Sequence, residues 1–304
     1  MKSCRIDITN WSRESSLLDE IVKLQRQAFV AQGGPISVAG IQTADYYRWK
    51  YESPHGIARL AMARDATGLV AMVAAVPIIL GDNRETRRFW QLCDIATRPE
   101  RQRGELFGAC LKALTHSLAG EPIFCLPNPR SRAGLRAAGF QLVGNLNLWI
   151  RPLRPFSLPA WSVCNRTEAP GRIFRQTYTA DTLAWRFKNR PGHFYRMFET
   201  IDASGKRRFA AIYSVRKSVV PFGVLLAIEK PEGEPVRDVL YEALAAASSD
   251  GLWALLYLTS DWRGVMHEGF VRVPNAIVPR GFPIVALGLN DARLCLTAGE
   301  WDVL

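Results

Sequence analysis

The amino-acid sequence predicts an α+β protein of two tandem units, each a mixed, mainly antiparallel sheet flanked by helices. Three observations lead there. First, Thr43-Ala44-Asp45-Tyr46-Tyr47-Arg48-Trp49-Lys50-Tyr51, with Pro54 after it, recurs as Thr179-Ala180-Asp181-Thr182-Leu183-Ala184-Trp185-Arg186-Phe187, with Pro191 after it. A T-A-D-x-x-x-W-[KR]-[YF] match of this length marks an internal duplication. Second, each copy precedes the same order of hairpin, strand, helix and strand. Third, 152–171 carries Pro152, Pro155, Pro159 and Pro170 without an apolar period, and so reads as a linker. The chain divides into 1–151, the linker 152–171, and 172–304.

In the first half, 57–64 and 69–80 are strand-like and flank a turn at 65–68. The run 69–80 is the longest apolar stretch; it contains Pro77 and is too short to span a membrane, so it reads as a buried strand. Gly81-Asp82-Asn83 punctuates the chain before a strand at 87–97, and a helix over 106–118 leads to a short strand at 122–126. In the second half the counterparts are 193–201 and 208–215 around a turn at 202–205, then 219–228, a helix over 236–247 and a strand at 252–258.

Composition sets the class. With 304 residues, 48% hydrophobic and 22% charged, the chain has the make-up of a globular protein able to bury one large core or two ordinary ones. The polar start, residues 1–18, lacks the apolar run of a signal peptide. Six scattered cysteines with no CxxC pair suggest neither a zinc knuckle nor a disulfide framework, and the expected compartment is the reducing cytoplasm. The four histidines show no HxH or HExxH spacing, so no metal is expected. A net charge of +11 and a pI near 9.7 suit an anionic partner. The basic residues form knots at 84–88, 98–103 and 130–136, without the interleaved aromatics of a single-strand-binding groove.

The second knot lies in Trp90-Gln91-Leu92-Cys93-Asp94-Ile95-Ala96-Thr97-Arg98-Pro99-Glu100-Arg101-Gln102-Arg103-Gly104-Glu105-Leu106-Phe107, a strand, a basic turn and a helix start. Unpaired amides at a helix N-terminus, assisted by arginines, hold a pyrophosphate. This stretch resembles the central motif of the GNAT N-acyltransferase superfamily, [RQ]-x-x-G-x-[GA], which falls either on 102–107, with Glu105 at the middle glycine and Phe107 at the last small residue, or on 101–106, with Gly104 at the middle glycine and Leu106 at the last position. A second segment, 125–140, resembles the later GNAT pattern N-x-x-[AS]-x-x-x-Y-x-x-x-G-F through Asn128, Ser131, Gly139 and Phe140, with Leu135 in place of the tyrosine.

The resemblance implies an acyl-donor core over residues 58–150 and acetyl-CoA or another acyl-CoA as donor substrate. The implied donor contacts are Ile95, Ala96, Thr97, Arg101, Gln102, Arg103, Gly104, Glu105, Leu106, Phe107, Asn128 and Ser131. Asn128 is expected to cap its helix beside the pantetheine arm, and Gly139 to end it in a left-handed turn. A carboxylate at Glu105, about 5 Å from a phosphate, would cost roughly 1–3 kcal/mol. Because the family's tyrosine protonates the departing thiolate, Leu135 leaves that task to another acid or to none; a thiolate is a tolerable leaving group near neutral pH.

Direct transfer needs an amine held against the thioester and amides aimed at the carbonyl oxygen, supplied in GNAT folds by the splayed end of the central strand, here 95–97. Asp94, in a mostly apolar strand, is a candidate base or amine-gripping group, with anchoring of a neighbouring loop or basic side chain as the alternative. Cys125 lies just before Asn128 and could act as a nucleophile or substrate contact, but no histidine partner is evident and it reads first as a small core residue. Trp49 and Tyr51 could wall a substrate pocket, but their recurrence as Trp185 and Phe187 argues for packing.

In the second half an acidic loop, Glu229-Lys230-Pro231-Glu232-Gly233-Glu234-Pro235, stands where the first has its basic turn, and makes a poor phosphate cradle. That half is expected to be a degenerate copy. The stretch Leu296-Thr297-Ala298-Gly299-Glu300-Trp301-Asp302 resembles the tail of bacterial tandem GNAT proteins linked to polysaccharide or amino-sugar modification. The expected activity is acyl transfer from CoA to the amine of a small molecule, an amino sugar or amino acid derivative. The alternatives are an acyl-carrier protein or charged tRNA as donor, or acyl-CoA binding without turnover.

Overall fold

The structure, a computed structural model, describes residues 4–13, 15–31, 43–82, 84–102, 105–153, 172–176, 178–201, 207–216, 220–228, 236–260, 269–274, 282–290 and 292–300. The expected linker lies outside the described residues from 154 onward. The chain forms two compact units. Unit 1 comprises Met1–Leu142, Thr177–His193 and Ile284–Asn290; unit 2 comprises Val143–Gln176, Phe194–Pro283 and Asp291–Leu304. Two pieces of the second half therefore belong to unit 1.

Unit 1 begins with β1 (Arg5–Asn10) and α1 (Ser15–Ala31), followed by α2 (Ala44–Tyr51) on the first copy of the repeat. Two-residue strands β2 (Glu52–Ser53) and β3 (Gly56–Ile57) lead to β4 (Arg59–Asp65), β5 (Gly68–Gly81) and β6 (Thr86–Thr97). After α3 (Leu106–Ser117) come β7 (Ile123–Cys125), α4 (Arg132–Ala137) and β8 (Gln141–Pro152). Strands β1, β4, β5 and β6 pair antiparallel in that order, β7 joins β6 in parallel, and Phe282–Leu287 closes antiparallel on β7.

The alternation of β-strand side chains explains why β5 and the middle of β4, Leu60 to Ala63, are apolar without interruption, because both faces are covered. Leu60, Met62, Met72, Ala74 and Val76 face one cluster with Leu17, Leu18, Ile21, Leu24 and Ala28 of α1, a helical stripe, and Tyr46, Tyr47 and Tyr51 of α2. Ala61, Ala63, Ala71, Val73 and Ala75 face the other, with Cys110, Leu111 and Leu114 of α3 and Leu135 of α4. Each fully buried Leu or Ile contributes about 1.5–3 kcal/mol.

Both copies of the repeat lie in unit 1. Thr43 Oγ1 accepts from Tyr46 N at 3.3 Å and Thr179 Oγ1 from Thr182 N at 3.2 Å, so the motif's threonine caps a helix start in each copy. The copies dock on one another through their tryptophans. Trp49 Nε1 donates to the Trp185 carbonyl at 2.5 Å, Trp185 Nε1 donates to the Trp49 carbonyl at 2.8 Å, and the rings stack at 5.2 Å. Arg186 and Arg190 lie over the Trp49 ring at 5.8 and 5.4 Å.

In unit 2, β8 pairs antiparallel with Ala254–Thr259, which runs parallel to Phe222–Ala227; Arg207–Arg216 and Arg196–Ile201 follow antiparallel. This is the same succession of pairings as Phe282–Leu287, β7, β6, β5 and β4. The helix Val236–Ser249 supplies Leu240, Ala243 and Ala247 to a core with Trp149, Tyr213, Leu225, Leu255 and Tyr257.

Candidate active site

The parallel pair β6 and β7 is joined over only two registers, Trp90↔Ile123 and Gln91↔Phe124. β7 ends at Cys125 while β6 continues to Thr97. Beyond Gln91, the backbone of β6 on that side has no strand partner among the described residues.

Three residues past Gln91, β6 is bulged. Ala74 faces Cys93 and Met72 faces Ala96, so Asp94 and Ile95 together stand opposite Val73. Asp94 adopts φ 48°, and it is the sole non-glycine residue with positive φ among the described residues. Such a backbone costs about 1–3 kcal/mol and persists only where the surroundings hold it.

Here the holding groups are explicit. Gln25 of α1, itself buried, donates from Nε2 to the Asp94 carbonyl at 2.8 Å. Lys50 Nζ lies 2.9 Å from Asp94 Oδ1 and from Oδ2, and Tyr51 OH donates to Oδ2 at 3.0 Å. The Lys50 and Asp94 side chains are 3% and 7% exposed. Burial first, and then the Asp94 charge, raise the phenols of Tyr47 and Tyr51 well above their ordinary value, so Tyr51 stays protonated and can donate.

After β6 the turn Pro99–Arg101 leads to α3. Arg98 donates to Thr67 Oγ1 and O at 2.8 and 3.0 Å, and Arg101 to Asp65 Oδ2 and Cys4 Sγ at 3.1 and 3.0 Å. The two arginines thus tether the turn to the β4–β5 hairpin and β1 edge. Gln102 Nε2 donates to the Thr97 carbonyl at 3.2 Å. Arg103 and Gly104 lie outside the described residues. Glu105 is exposed and makes no side-chain cap, and an intrahelical bond runs from Ala109 N to Glu105 O, so that among the described residues no side chain caps the head of α3, where amides can face an anion.

Phe107 lies against α4: a methyl group at Gly134 would stand 2.4 Å from its ring, so the glycine is what admits it. Asn128 Oδ1 accepts from Arg130 N and Ser131 N, both at 2.9 Å, and Ser131 Oγ donates back to the Asn128 carbonyl at 3.2 Å. Asn128 thus closes the turn before α4 rather than capping the helix, whose N-cap is Ser131 without a side-chain cap, and Gly139 follows the helix at φ 89°. Leu135 is fully buried in the core, so α4 presents no acid there.

The other expected contacts sit inward. Cys125 is buried among the α3-side apolar residues, and burial pushes its thiol up to about 12, which leaves no thiolate near neutral pH. Trp49 and Tyr51 are 8% and 0% exposed and are spent on packing and on the Asp94 contact. The structure therefore brings Asp94, Ile95, Ala96 and Thr97 to one strand end, and adds Gln25 and Lys50, which sequence reasoning missed. Their signals were present: Gln25 interrupts the apolar stripe of α1, and Lys50 is the basic half of the repeated basic-aromatic pair.

Unit 2 has the same bulge without these features. Ile212 faces Ala227 and Tyr213 faces Leu225, so Leu226 is the extra residue, four past the first parallel register just as Asp94 is. Its parallel pair stays joined from Phe222↔Ala254 to Leu225↔Tyr257. Thr297 then joins both strands: its Oγ1 donates to the Leu226 carbonyl at 2.6 Å and it bridges Thr259.

No family model and no curated protein matches this sequence. Solved structures do match. A conserved Enterococcus faecalis V583 protein of unknown function, described as a probable N-acyltransferase, aligns over 93% of this chain and 72% of its own at 11% identity and a TM-score of 0.63. A GCN5-related N-acetyltransferase from Anabaena variabilis aligns over 93% and 72% at 10% identity and a TM-score of 0.63. Saccharomyces cerevisiae N-myristoyltransferase, solved with bound myristoyl-CoA, aligns over 95% and 84% at 12% identity and a TM-score of 0.54. These likenesses, together with the bulged strand, the parted parallel pair and the helix that follows, show that the chain has the fold of the GNAT superfamily.

Proposed function

We propose that unit 1 transfers an acyl group from a CoA thioester to the amine of a small molecule, an amino sugar or amino acid derivative. The observation that carries this reading is the parting of β6 from β7 beside the bulge at Asp94, with the uncapped head of α3 next along the chain. A pantetheine arm fits a strand edge that its neighbouring strand has left, and a pyrophosphate fits the amides at a helix start. Within 95–97, the amides that face away from β5 are the donors for the thioester oxygen as negative charge develops there. Asn128 and Ser131 would flank the arm, with Arg101, Gln102, Arg103, Gly104, Glu105, Leu106 and Phe107 along the turn and helix start.

Asp94 acts in this scheme by position, since Lys50 and Tyr51 already occupy its oxygens. The amine attacks the carbonyl carbon, loses its proton to solvent or acceptor-side groups, and the thiolate departs without an acid at Leu135. Among the described residues unit 2 shows no parted strand edge for a second donor, because Thr297 joins the ends of its parallel strands. Isothermal titration with acetyl-CoA and longer acyl-CoAs tests the reading: saturable heat supports it, and no heat with any of them removes it.

One observation favours a variation. Arg98 and Arg101 are engaged with the hairpin, so the nucleotide is gripped less than the basic turn suggests. A donor without that nucleotide, on an acyl-carrier protein or a charged tRNA, suits such a turn. Equal affinity for S-acetyl-pantetheine and acetyl-CoA favours it, and a preference for acetyl-CoA of about tenfold or more, roughly 1.4 kcal/mol, rejects it. For tRNA, binding must weaken steeply with salt.

A further inference from the structure

We propose that Gln25, Lys50 and Tyr51 are positioning residues which hold the Asp94 bulge in its strained conformation and thereby aim the amides at 95–97. The proposal rests on the acyl-donor reading of unit 1 and extends it to residues that touch no donor.

Three facts meet at Asp94. Its backbone sits at φ 48°, where a side chain is disfavoured. Its carbonyl is fixed by Gln25 from α1, and its carboxylate by Lys50 and Tyr51 from α2, so tethers from two helices grip one residue at both ends. All these side chains are buried, where each bond resists solvent competition.

The second unit supplies the control within the same molecule. Its bulge falls at the corresponding place, but Leu226 has no carboxylate, a single side chain fixes its carbonyl, and its φ is not positive. The bulge itself thus needs neither the strain nor the double grip. Where both occur, the strand edge is also open. An ammonium and a phenol buried around one carboxylate, where a hydrophobic trio of equal volume would stabilise the fold as well or better, point to geometry as what they supply.

The consequence is spectroscopic and needs no acceptor. Amides aimed at the thioester oxygen polarise the carbonyl and lower its stretching frequency, so the infrared band of 13C-carbonyl acetyl-CoA bound to the full chain lies below that of the free compound. Gln25→Met removes one tether without stranding a charge. The double variant Lys50→Met with Asp94→Asn removes both charges together and keeps a residue type that tolerates positive φ. Both are expected to bind acetyl-CoA within about threefold of the parent, because the arm and phosphate contacts remain, while losing most of the band shift.

Variants that bind with the full shift overturn the proposal and leave the donor reading standing. A parent chain that binds without any shift also overturns it. A parent chain that does not bind acetyl-CoA overturns the donor reading, and this inference with it. Gln25→Met carries the decision should the double variant fail to fold.

Discussion

At Asp94 a carboxylate is locked between a buried ammonium and a buried phenol, and single substitutions there are expected to be severe for a stated reason. Asp94→Ala strands the Lys50 charge and places alanine at a positive φ, so the expected loss is about 3–5 kcal/mol in urea unfolding. Lys50→Met alone should lose a similar amount, and the Lys50→Met, Asp94→Asn pair should recover most of it. Equal losses for the pair and the singles would show that charge stranding is not the cause. Buried thiols set a second expectation. Burial pushes the Cys110 and Cys125 thiols up to about 12, well above the ordinary thiol range, so the folded state favours the protonated form. Their contribution is complete below the unfolded value and is lost as pH rises from about 9 towards about 12, which urea midpoints across that range will show as a steady fall. Tyr47 and Tyr51 act in the same direction.

Among elements, the paired repeats and the α3–α4 contact are the informative cases. Trp185→Ala removes both the stack and one of two reciprocal bonds on Trp49; a loss of about 2–3 kcal/mol is expected. With Trp49→Ala the effects should be strongly non-additive, and a double mutant equal to the sum of the singles would contradict direct coupling. Gly134→Ala drives a methyl group into Phe107 and should cost about 1–3 kcal/mol, with Phe107→Leu restoring much of it. Here the sequence was most readable. Alternation and turn residues located β4, β5 and β6, and the apolar period located α3. The repeat was visible as a string of letters, but not that its copies dock on each other, because pairing of segments 136 residues apart leaves no local signal. The polar start of the chain hides β1 and the apolar stripe of α1, whose meaning depends on the sheet they pack against.

For the whole molecule, the likeness of the two halves proved to be one of strand pairing, and the exchanged pieces were invisible in sequence. Unit 1 takes Ile284–Asn290 from the far end of the chain, while β8 pairs within unit 2. The local geometry around the candidate site was legible where backbone chemistry decides it, at the strand end 94–97 and in the left-handed turn at Gly139. It was illegible where long-range contacts decide it, at Gln25 and Lys50, and the arginines of the basic turn proved to be structural tethers at Arg98 and Arg101. No helix among the described residues is long and apolar enough to cross a membrane, and no cluster of metal-ligating side chains occurs among them.

Under the proposed function, the donor enters unit 1 at the parted strands and has no second site. Hydrogen–deuterium exchange of the full chain with and without acetyl-CoA tests it most directly. Slowed exchange confined to residues 92–97, 105–110 and 126–132 is the expected result. Protection at 222–227 and 254–259 instead would contradict it.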